Sequence, residues 1–504
     1  MEILIKIELI VNLVLFLLFY MHMFQLNSYF LKKYVNWMKA NIKKVLLRSV
    51  SILIPILILL LNNNIARVVS VILLGISIFA NFKKNKAKIP LKFTNRVNRM
   101  FITQAIIIIL FCVLSNNIIT LGLLNIIAFC LCFIANTINY PIEHGIRKYY
   151  INNAKKILKD MPELTVIGVT GSYGKTSVKN FLVKTLSTKY EVLATPKNYN
   201  TLMGVVRTIR EELKPIHQIF ICEMGATKVG DIKEICDIVN PKFGIITAIG
   251  PQHLQSFKTI DNIIKTKFEL YDSVNKNGGV TFLNYDNEYI ARQNKTNILT
   301  YGIDNEKLDY SAFDLKSSPQ GLFFSIKNMQ FKTRLIGRHN ITNLTGAIAV
   351  ANYLEISLDR LVPRVKEIKS VKHRLQLISR ENFNIIDDAY NSNPISSKSA
   401  IDTLSEFEGV KIIVTPGLIE LGGDEEKFNY EFGKYMCDVC DYIFLVNSTI
   451  SKYVLNGISS KEFNKNKVFM VNSPQEAVKQ ITSWGLNDKV TILLENDLPD
   501  NYNL

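Results

Sequence analysis

The feature that most constrains this chain is the position of its long apolar runs, nearly all of which lie before Ile142. They occur at about residues 7–24, 45–61, 65–82, 100–115 and 117–138. A helix needs about 17–25 residues to cross a bilayer, so these runs predict five transmembrane helices. Cleavage of the first run as a signal peptide would leave the others behind. We therefore interpret residues 1–140 as an α-helical membrane region.

The charge distribution supports this interpretation. The chain of 504 residues carries a net charge of +17, but residues 1–163 hold 20 basic and 5 acidic side chains, and the remainder holds 40 and 38. The basic side chains of the first part cluster in two loops, 32–48 and 83–99, whereas the alternate loops at 62–64 and 116–117 carry no charge. This positive-inside pattern predicts an outside N-terminus, five crossings and cytoplasmic domains after Tyr140. It argues against a nucleic-acid partner.

The pattern changes after the membrane region. Residues 141–163 form a polar, helical-looking linker, and from Leu164 short apolar runs alternate with helical periodicity. Such alternation predicts parallel sheets with crossover helices. One set of candidate strands falls in residues 164–370 and a second in 371–504, so we expect two α/β domains. Cys437 and Cys440 form a CxxC pair without a second pair at zinc spacing, and we expect reduced, packed thiols.

A phosphate-binding loop is predicted between a strand and a helix in VIGVTGSYGKTSVKN, residues 166–180. Lys175 would reach the β- and γ-phosphates of a nucleotide, and the Thr176 hydroxyl would bind Mg²⁺. Gly168 precedes Gly174 by six positions rather than the usual five, so the loop is a variant. The residues expected to bind the nucleotide here are Gly171, Ser172, Tyr173, Gly174, Lys175, Thr176 and Ser177.

The segment TGSYGKTS resembles the Mur ligases, an ATP-dependent family that adds amino acids to bacterial cell-wall precursors, together with folylpolyglutamate synthetase. Further segments resemble motifs of that family in the same order, from about Val166 to Leu421: TPKNYNTLMGV, EMGATKVGDIKEICDIVNPKFGIITAIGPQHLQSF, TKFEL, GRHNITN, HRLQL and DDAYNSNP. The last of these is nearest to the branch that adds a D-alanyl-D-alanine dipeptide. The resemblance implies a P-loop central domain with a parallel sheet, followed by a Rossmann-like C-terminal α/β domain.

The resemblance also implies catalytic roles for Lys175, Glu223, His253 and Lys267. Phosphoryl transfer gathers negative charge at one point, and cations must be in place to offset it. Thr176 and Glu223 would bind one magnesium ion, and His253 and a carbamylated Lys267 would bind a second. Taken from the residues alone, Lys267 reads as a solvated helix lysine; the resemblance favours the carbamate.

Binding roles follow from the same resemblance. Asn340 and Asn343 would belong to an adenine loop, and Arg374 and Asp387 would contact ATP from the C-terminal domain. A surface arginine at a domain hinge is the alternative for Arg374, and Asp388 is expected only to end its strand. Four residues are expected to bind the substrate: Asn200, Asn391, Asn393 and Pro394.

These predictions together describe a membrane-anchored, ATP- and Mg²⁺-dependent amide ligase that works through an acyl phosphate. Its expected partners are a UDP- or lipid-linked cell-wall precursor as the acceptor and an amino acid or dipeptide as the amine. One alternative is a Mur-type ligase for a lipid-linked or poly-amino-acid acceptor. Another, from a different class, is a membrane sensor gated by nucleotide that ligates nothing.

The short linker raises the question of how the acceptor is held. At 23 residues it is too short for the globular uridine-binding domain that members of the family carry. A helix rises about 1.5 Å per residue, so the nucleotide loop is expected within a few tens of ångströms of the bilayer. The membrane region would then either bring a lipid-linked acceptor to the site or serve only as a tether.

Overall fold

The structure, a computed structural model, describes residues 1–82, 90–115, 117–197, 199–380, 383–390, 392–485 and 489–497. Several predictions fall partly or wholly outside these ranges: residues 83–89 of the second basic loop, residue 116 of an uncharged loop, residue 198 of the segment TPKNYNTLMGV, Asn391, and residues 381–382, 486–488 and 498–504 of the predicted C-terminal domain. The chain divides into two compact units, one running to Lys148 and the other beginning at Tyr149.

The described residues of the first unit are helical. Thr94 and Asn117 begin two of the helices by accepting hydrogen bonds from the backbone N–H groups of Val97 and Ile119. The last helix begins in the first unit and ends in the second. The helices are α1 (Glu2–Leu26), α2 (Leu31–Ala40), α3 (Ile42–Leu59), α4 (Asn64–Phe82), α5 (Asn95–Leu114), α6 (Ile118–Ile126) and α7 (Ala128–Lys159).

By length and composition, three helices in the described ranges could cross a membrane, namely α1, α4 and α5. A fourth would result if α6 and α7, which bend by 77° at their junction, formed one span. The sequence predicts five crossings, and the difference lies in the run at 45–61. That run falls in α3, which carries Lys43, Lys44 and Arg48 within its 18 residues. The five-span topology therefore stays a prediction.

The second unit begins with a nine-stranded sheet, which confirms the predicted parallel-sheet central domain. Its strand order is β2-β3-β1-β4-β5-β6-β7-β8-β9, and the pairs from β2 to β7 are parallel. The strands are β1 (Thr165–Thr170), β2 (Val192–Ala194), β3 (Ile219–Glu223), β4 (Phe243–Ile246), β5 (Val280–Asn284), β6 (Ile298–Ile303), β7 (Tyr310–Ser318), β8 (Gly321–Ile326) and β9 (Met329–Thr333).

Strand β1 is the point at which the chain switches direction across the sheet, because it pairs with β3 on one side and β4 on the other. In open α/β sheets, ligands bind beyond the carboxyl ends of the strands at such a point. Ile167 and Val169 of β1 are fully buried. Sequence reasoning missed β7, β8 and β9, which extend the sheet by two antiparallel pairs.

Helices cover this sheet and supply most of its core. The most deeply buried of them, α14, packs with α8 against the sheet and presents a nearly continuous apolar segment, GAIAVA. A helix that is apolar on most sides is buried on most sides. The helices are α8 (Lys175–Leu186), α9 (Leu202–Glu211), α10 (Asp231–Val239), α11 (Leu254–Phe257), α12 (Ile260–Lys276), α13 (Glu288–Ala291), α14 (His339–Tyr353) and α15 (Leu358–Lys366).

A second sheet of six strands follows, which confirms the predicted C-terminal α/β domain. Its order is β10-β11-β15-β12-β13-β14, and only the β10–β11 pair is antiparallel. The strands are β10 (Gln376–Ser379), β11 (Phe383–Asp388), β12 (Val410–Thr415), β13 (Tyr442–Val446), β14 (Val468–Val471) and β15 (Val490–Glu495). The helices are α16 (Pro394–Ser405), α17 (Glu425–Cys437), α18 (Ser451–Ser459) and α19 (Pro474–Ser483).

Candidate active site

The glycine-rich loop joins the end of β1 to the start of α8, as the sequence predicts. Gly174 has a φ of 81° and is the N-cap of α8, so the loop turns through a conformation that favours glycine. A Cβ atom at Gly171 would lie 2.1 Å from Thr247 Oγ1. The backbone therefore passes too close to Thr247 for any other residue. Gly168, in contrast, lies within β1, where a Cβ would meet Leu270 Cδ1 at 2.5 Å, so it is a packing glycine.

Lys175 is the first residue of α8, and its side chain bends back onto the loop. Its Nζ donates hydrogen bonds to the carbonyl oxygens of Gly171 at 2.6 Å and Ser172 at 2.8 Å. Burial lowers the pKa of Lys175 to about 8, opposed by the nearby Glu223 carboxylate and reinforced by Arg374. The helix N-terminus and this ammonium group together present the donors and the positive charge that an anion would need.

Glu223 lies at the end of β3 and is 1% exposed. Its Oε1 accepts hydrogen bonds from Asn200 Nδ2 at 3.0 Å and from Thr176 Oγ1 at 3.2 Å. Burial disfavours the charged carboxylate, but Lys179 and Lys175 outweigh it and hold the pKa of Glu223 below its ordinary value. Asn200, predicted to bind substrate, therefore contacts the carboxylate that is predicted to bind metal.

Sequence reasoning missed Lys179, the buried partner of this carboxylate. Its Nζ lies 3.0 Å from Glu223 Oε2 and donates to the carbonyl oxygens of Thr195 and Lys197, both at 2.8 Å. Lys179 follows Lys175 by four positions, which puts both side chains on one face of α8. The available signal was a lysine on the apolar face of the segment VKNFLV, where a solvated side chain is out of place.

Lys267 lies in α12 and is 3% exposed, so it is not the solvated helix lysine that its residue type suggests. Burial, reinforced by the positive charge of Lys175, holds its pKa well below the ordinary value. A lowered pKa enlarges the neutral fraction of a lysine amine. Its amine is then a nucleophile able to take up CO₂, which fits the predicted carbamate. It is not among the residues that line the cavity described below.

His253 precedes α11 in a left-handed backbone conformation, with φ of 52°. Its Nδ1 lies 2.5 Å from Oε2 of Glu420, which itself has φ of 62°. The two residues belong to different α/β domains. His253 follows β4 in the first of these domains, and Glu420 follows β12 in the second. Glu420 is not among the residues predicted from the sequence, because it stands at the very end of the segment that resembles the family. The pair leaves Nε2 of the imidazole available for a ligand.

The start of α14 lies beside the glycine-rich loop, as expected for residues that contact the nucleotide. A Cβ atom at Gly174 would lie 2.9 Å from Asn343 Oδ1, so the two are in close contact. Asn340 donates to the carbonyl oxygen of Ile336 at 2.8 Å. Asp286 contacts the same helix, since its Oδ2 accepts a hydrogen bond from Thr342 Oγ1 at 2.9 Å. Sequence reasoning did not single out Asp286.

The C-terminal domain contributes Arg374, whose guanidinium stacks 4.2 Å from the ring centroid of Tyr390. Within the acidic pair at the end of β11, Asp388 lines the cavity, although the sequence favours it as a mere strand end. Asp387, predicted to contact ATP, has its Oδ2 2.8 Å from His373 Nδ1 and is not among the residues that line the cavity. The contact of Asp387 with ATP stays a prediction.

Asn393 and Pro394, both predicted to bind substrate, begin helix α16. Asn393 Oδ1 accepts from the backbone N–H groups of Ile395 and Ser396, and Pro394 occupies the first turn. These are the roles that an N-cap asparagine and a first-turn proline play in any helix. Neither residue lines the cavity, whereas Ser396 of the same turn does. A structural role accounts for both, and their contact with substrate stays a prediction.

A cavity of about 390 Å³ connects these elements within the second unit. It extends from the glycine-rich loop and the start of α14 to Arg374 and Asp388 of the C-terminal domain. The predicted site residues that line it are Ser172, Tyr173, Gly174, Lys175, Thr176, Ser177, Asn200, Glu223, His253, Asn340, Asn343 and Arg374. The lining residues that sequence reasoning did not assign include Thr247, Gln252, Asn284, Asp286, Asn287 and Asp388.

The donor set at Glu223 fits Mg²⁺. An ionised, buried carboxylate and a threonine hydroxyl 3.2 Å apart are the oxygen ligands that this ion prefers, with water and phosphate completing its coordination. Within the described ranges, no three His, Cys, Asp or Glu side chains come together as a ready-made metal site. The second magnesium at His253 and Lys267 therefore stays a prediction.

Family models of known proteins match both α/β domains. The model described as "Mur ligase middle domain" matches residues 169–351, and that described as "Mur ligase, glutamate ligase domain" matches residues 373–494. The UDP-N-acetylmuramoyl-tripeptide--D-alanyl-D-alanine ligase of Bacillus subtilis (strain 168) is 31% identical over 329 residues, which cover 64% of this chain and 71% of the relative.

Solved structures agree with this result. A crystal structure of MurF from Acinetobacter baumannii superposes with a TM-score of 0.63 at 26% identity, covering 70% of this chain and 77% of that one. MurF from Thermotoga maritima in complex with ADP has a TM-score of 0.62 at 24% identity, covering 69% and 80%. The second likeness bears on the fold alone.

Proposed function

Because this chain belongs to the Mur ligase family and is an ATP-dependent, ADP-forming ligase, we propose that it joins D-alanyl-D-alanine to a muramoyl tripeptide. The observation that carries the proposal is the cavity in which the glycine-rich loop of one α/β domain faces Arg374 and Asp388 of the other. The relative from Bacillus subtilis, named for this reaction, supports the choice of acceptor and amine.

The reaction needs two steps, because a carboxylate and an amine do not condense in water. The terminal carboxylate of the tripeptide attacks the γ-phosphorus of ATP. The bond between the γ-phosphorus and the oxygen that bridges it to the β-phosphorus breaks, and ADP leaves. The amine of the dipeptide then attacks the carbonyl carbon of the acyl phosphate, inorganic phosphate leaves, and the nitrogen loses a proton. Both steps concentrate negative charge on the oxygens of the transferred phosphoryl group, so the site must supply fixed positive charge.

Residues of this chain can supply it from two sides. Lys175 is proposed to exchange its hydrogen bonds to the loop carbonyls for bonds to the β- and γ-phosphates. Arg374 would approach the same phosphates from the C-terminal domain. Thr176 and Glu223 would hold a magnesium ion, which when bound adds further positive charge at the phosphates. Lys179 and Asn200 keep the Glu223 carboxylate ionised and oriented for that role.

The assignment of a second metal to His253 and carbamylated Lys267 is part of the proposal. The burial and lowered pKa of Lys267 support it, because only a neutral amine adds to CO₂. The contact between His253 and Glu420 supports it as well. Carboxylates that hold the other nitrogen of a ligating imidazole fix its orientation and raise its basicity.

We further propose that residues 1–140 anchor the enzyme in the cell membrane, with residues 141–163 as a linker and the domains 164–370 and 371–504 in the cytoplasm. The apolar helices α1, α4 and α5 and the clustered basic loops support this arrangement. A lipid-linked acceptor would then meet the site at raised effective concentration. A UDP-linked acceptor remains the alternative substrate.

The decisive test uses the detergent-purified full chain with Mg-ATP, D-alanyl-D-alanine and either UDP-linked or lipid-linked muramoyl tripeptide. We expect phosphate release that needs both acceptor and amine. The mass of the acceptor should increase by that of one D-alanyl-D-alanine less one water. Lys175→Ala should abolish both and leave the thermal melting of the protein unchanged. ATP hydrolysis or binding without any joined product would favour the nucleotide-gated sensor instead.

The role of the membrane region is tested by comparing the full chain with residues 141–504 alone. If the helices bring a lipid-linked acceptor to the site, truncation should lower kcat/KM for that acceptor and spare the value for the UDP-linked one. Unchanged efficiency with both acceptors would make the helices a tether.

A further inference from the structure

The first unit contains a cavity of about 490 Å³ between helices α1, α2, α3 and α4. Contacts between α3 and α4 show how these two helices run along the cavity. Arg48 Nε donates to Asn81 Oδ1 at 3.0 Å, the hydroxyls of Ser51 and Ser77 lie 3.1 Å apart, and Ser70 donates to the Pro55 carbonyl oxygen at 2.9 Å. The two helices are therefore antiparallel, and each level along α3 matches one level along α4.

One end of this cavity is cationic. Lys44 and Arg48 both line it, one turn apart on α3. Within the part of the chain that the structure describes, neither has a carboxylate partner: Arg48 contacts Asn81 and the ring of Phe19, whose centroid lies 3.5 Å away, and Lys44 is exposed. Two cations one turn apart repel each other, so an anion between them would be stabilising.

The same end holds a buried donor without an acceptor. Trp37 lines the cavity and is 7% exposed, and its indole Nε1 is buried with no hydrogen-bond partner in the described ranges. Tyr34 stacks on the indole at a centroid distance of 5.8 Å and holds the ring in place. An unpaired buried N–H is destabilising, so a ligand oxygen that accepts from it would be stabilised there.

The other end is apolar. Ile54 and Pro55 of α3 and Leu73 and Ile76 of α4 line it, and Ile54 and Ile76 are 47% and 58% exposed. Ile54 lies ten positions beyond Lys44, or about 15 Å along the helix at 1.5 Å per residue. A hydrocarbon chain fits an exposed apolar wall of this kind, and an anionic headgroup fits the opposite end.

From this change from a cationic to an apolar end we infer that the cavity binds an anionic membrane lipid, one whose phosphate headgroup carries net negative charge. The headgroup lies between Lys44, Arg48 and Trp37, and the chain lies along α3 and α4. The inference rests on the membrane location proposed above, and it does not depend on ligase activity. Guanidinium and ammonium groups form their strongest hydrogen bonds with phosphate oxygens, and the indole N–H adds a directional contact. Both cations lie in the basic loop predicted to face the cytoplasm, where the headgroup of an inner-leaflet lipid would lie.

The inference is tested with the full chain in phosphatidylcholine nanodiscs that contain one of three photoactivatable lipids with the same acyl chains. We expect phosphatidic acid to label the α3 and α4 peptides, and diacylglycerol and phosphatidylcholine to label them at least roughly tenfold less, as loss of a charge-assisted contact implies. Inorganic phosphate at millimolar concentration should not compete. Competition by free phosphate, or equal labelling by diacylglycerol, would overturn the inference.

Matched variants localise the headgroup. Lys44→Gln should lower labelling by phosphatidic acid roughly tenfold, whereas Lys43→Gln, its exposed neighbour outside the cavity, should not. Trp37→Phe keeps the ring and removes only the N–H, and it should lower labelling severalfold while the helices stay folded by circular dichroism. Equal labelling in the Lys43 and Lys44 variants would place the lipid elsewhere. Ligase activity is measured separately, so its loss or retention has no bearing on this result.

Discussion

His253 Nδ1 lies 2.5 Å from Glu420 Oε2, across the boundary between the two α/β domains of the second unit. Both residues adopt left-handed backbone conformations, which are uncommon for residues other than glycine. If His253 is a metal ligand, Glu420 fixes which of its nitrogens faces the metal.

The first prediction concerns this contact. Glu420→Gln should lower ligase turnover about 10- to 100-fold, as loss of a carboxylate behind a ligating histidine does. It should also raise the magnesium concentration needed for half-maximal activity. Glu426→Gln, an exposed glutamate of the neighbouring helix α17, is the control and should behave as wild type. A Glu420 variant with unchanged magnesium dependence would remove His253 from the metal site.

Lys179 gives a stability prediction. Its side chain and that of Glu223 are 4% and 2% exposed, so Lys179→Met leaves a buried carboxylate without its counter-charge. Loss of one partner of a buried pair costs about 3–5 kcal/mol. Lys184 of the same helix pairs with Glu367 at a surface where the side chains are 38% and 52% exposed, and Lys184→Met should cost about 1 kcal/mol or less. Denaturant midpoints of the two variants test this, and equal losses would contradict it.

The carbamate on Lys267 is tested by chemical rescue. Lys267→Ala should be largely inactive and should partly recover with added short carboxylates, which can occupy the position of the carbamate. In the wild type, ¹³C-labelled bicarbonate should give a carbamate resonance that the variant lacks. Lys265→Ala, two positions away on the exposed side of α12, is the control and should retain both activity and the resonance. Full activity of the Lys267 variant would exclude the residue from catalysis.

Because the carboxyl group of Glu495 is buried, we expect the free energy of unfolding to depend on pH. Burial, with the neighbouring Asp388, raises the pKa of Glu495 well above its usual range, and Ser397 donates a hydrogen bond to Oε1. Asp388 is the register partner of Glu495 on β11. Burial raises the pKa of Asp388 as well, and the nearby Arg374 partly offsets that increase. From the usual pKa of about 4.3 upward, the unfolded chain has lost this proton and the folded one keeps it. Stability should therefore fall as pH rises through this window.

The slope is at most about 1.4 kcal/mol per pH unit for one proton. Glu495→Gln should flatten it and should raise the denaturant midpoint relative to wild type at pH 8. Glu462→Gln, an exposed glutamate of the same domain, should leave the slope unchanged. A midpoint difference between wild type and Glu495→Gln that stays constant from pH 5 to pH 8 would contradict the assignment.

The topology is tested with a reporter that is active only in the cytoplasm. Fused after Leu504 it should give signal, because ATP is cytoplasmic, and inserted at residues 62–64 it should give none. The number of crossings decides the outcome: an odd number from an outside N-terminus leaves the catalytic domains inside, and an even number leaves them outside. Signal at 62–64 together with none at the C-terminus would contradict the proposed orientation.

The sequence predicted those parts of the molecule that short local patterns determine. The glycine-rich loop, Lys175, Thr176 and Glu223 stand next to strands with strong apolar signals, so their placement followed from the pattern and the family resemblance. The extension β7–β9 escaped because its polar, exposed residues weaken the alternation, and its pairing depends on the rest of the sheet. Lys179 and Glu420 escaped because burial and contacts between distant segments decide their roles.

The acidic pair at the end of β11 shows the same limit in another form. A strand alternates its side chains between two faces, so adjacent aspartates must point apart. Which of the two faces the cavity depends on the register between β11 and its neighbours, with Asp387 opposite Gln376 and Asp388 opposite Glu495. Local pattern does not determine that register.

The order of pairing around β1 has a consequence for the time at which the enzyme becomes functional during its synthesis. The loop after β1 is completed by Glu223, Thr247, Asn343 and finally Asp388, so about 220 residues must follow Gly171 before the site can close. At 5–20 residues per second, this takes roughly 10–40 s. The apolar helices near the N-terminus leave the ribosome before any of these residues. If these helices enter the membrane as proposed, they can do so before the nucleotide site has formed, and therefore without nucleotide binding by the same chain.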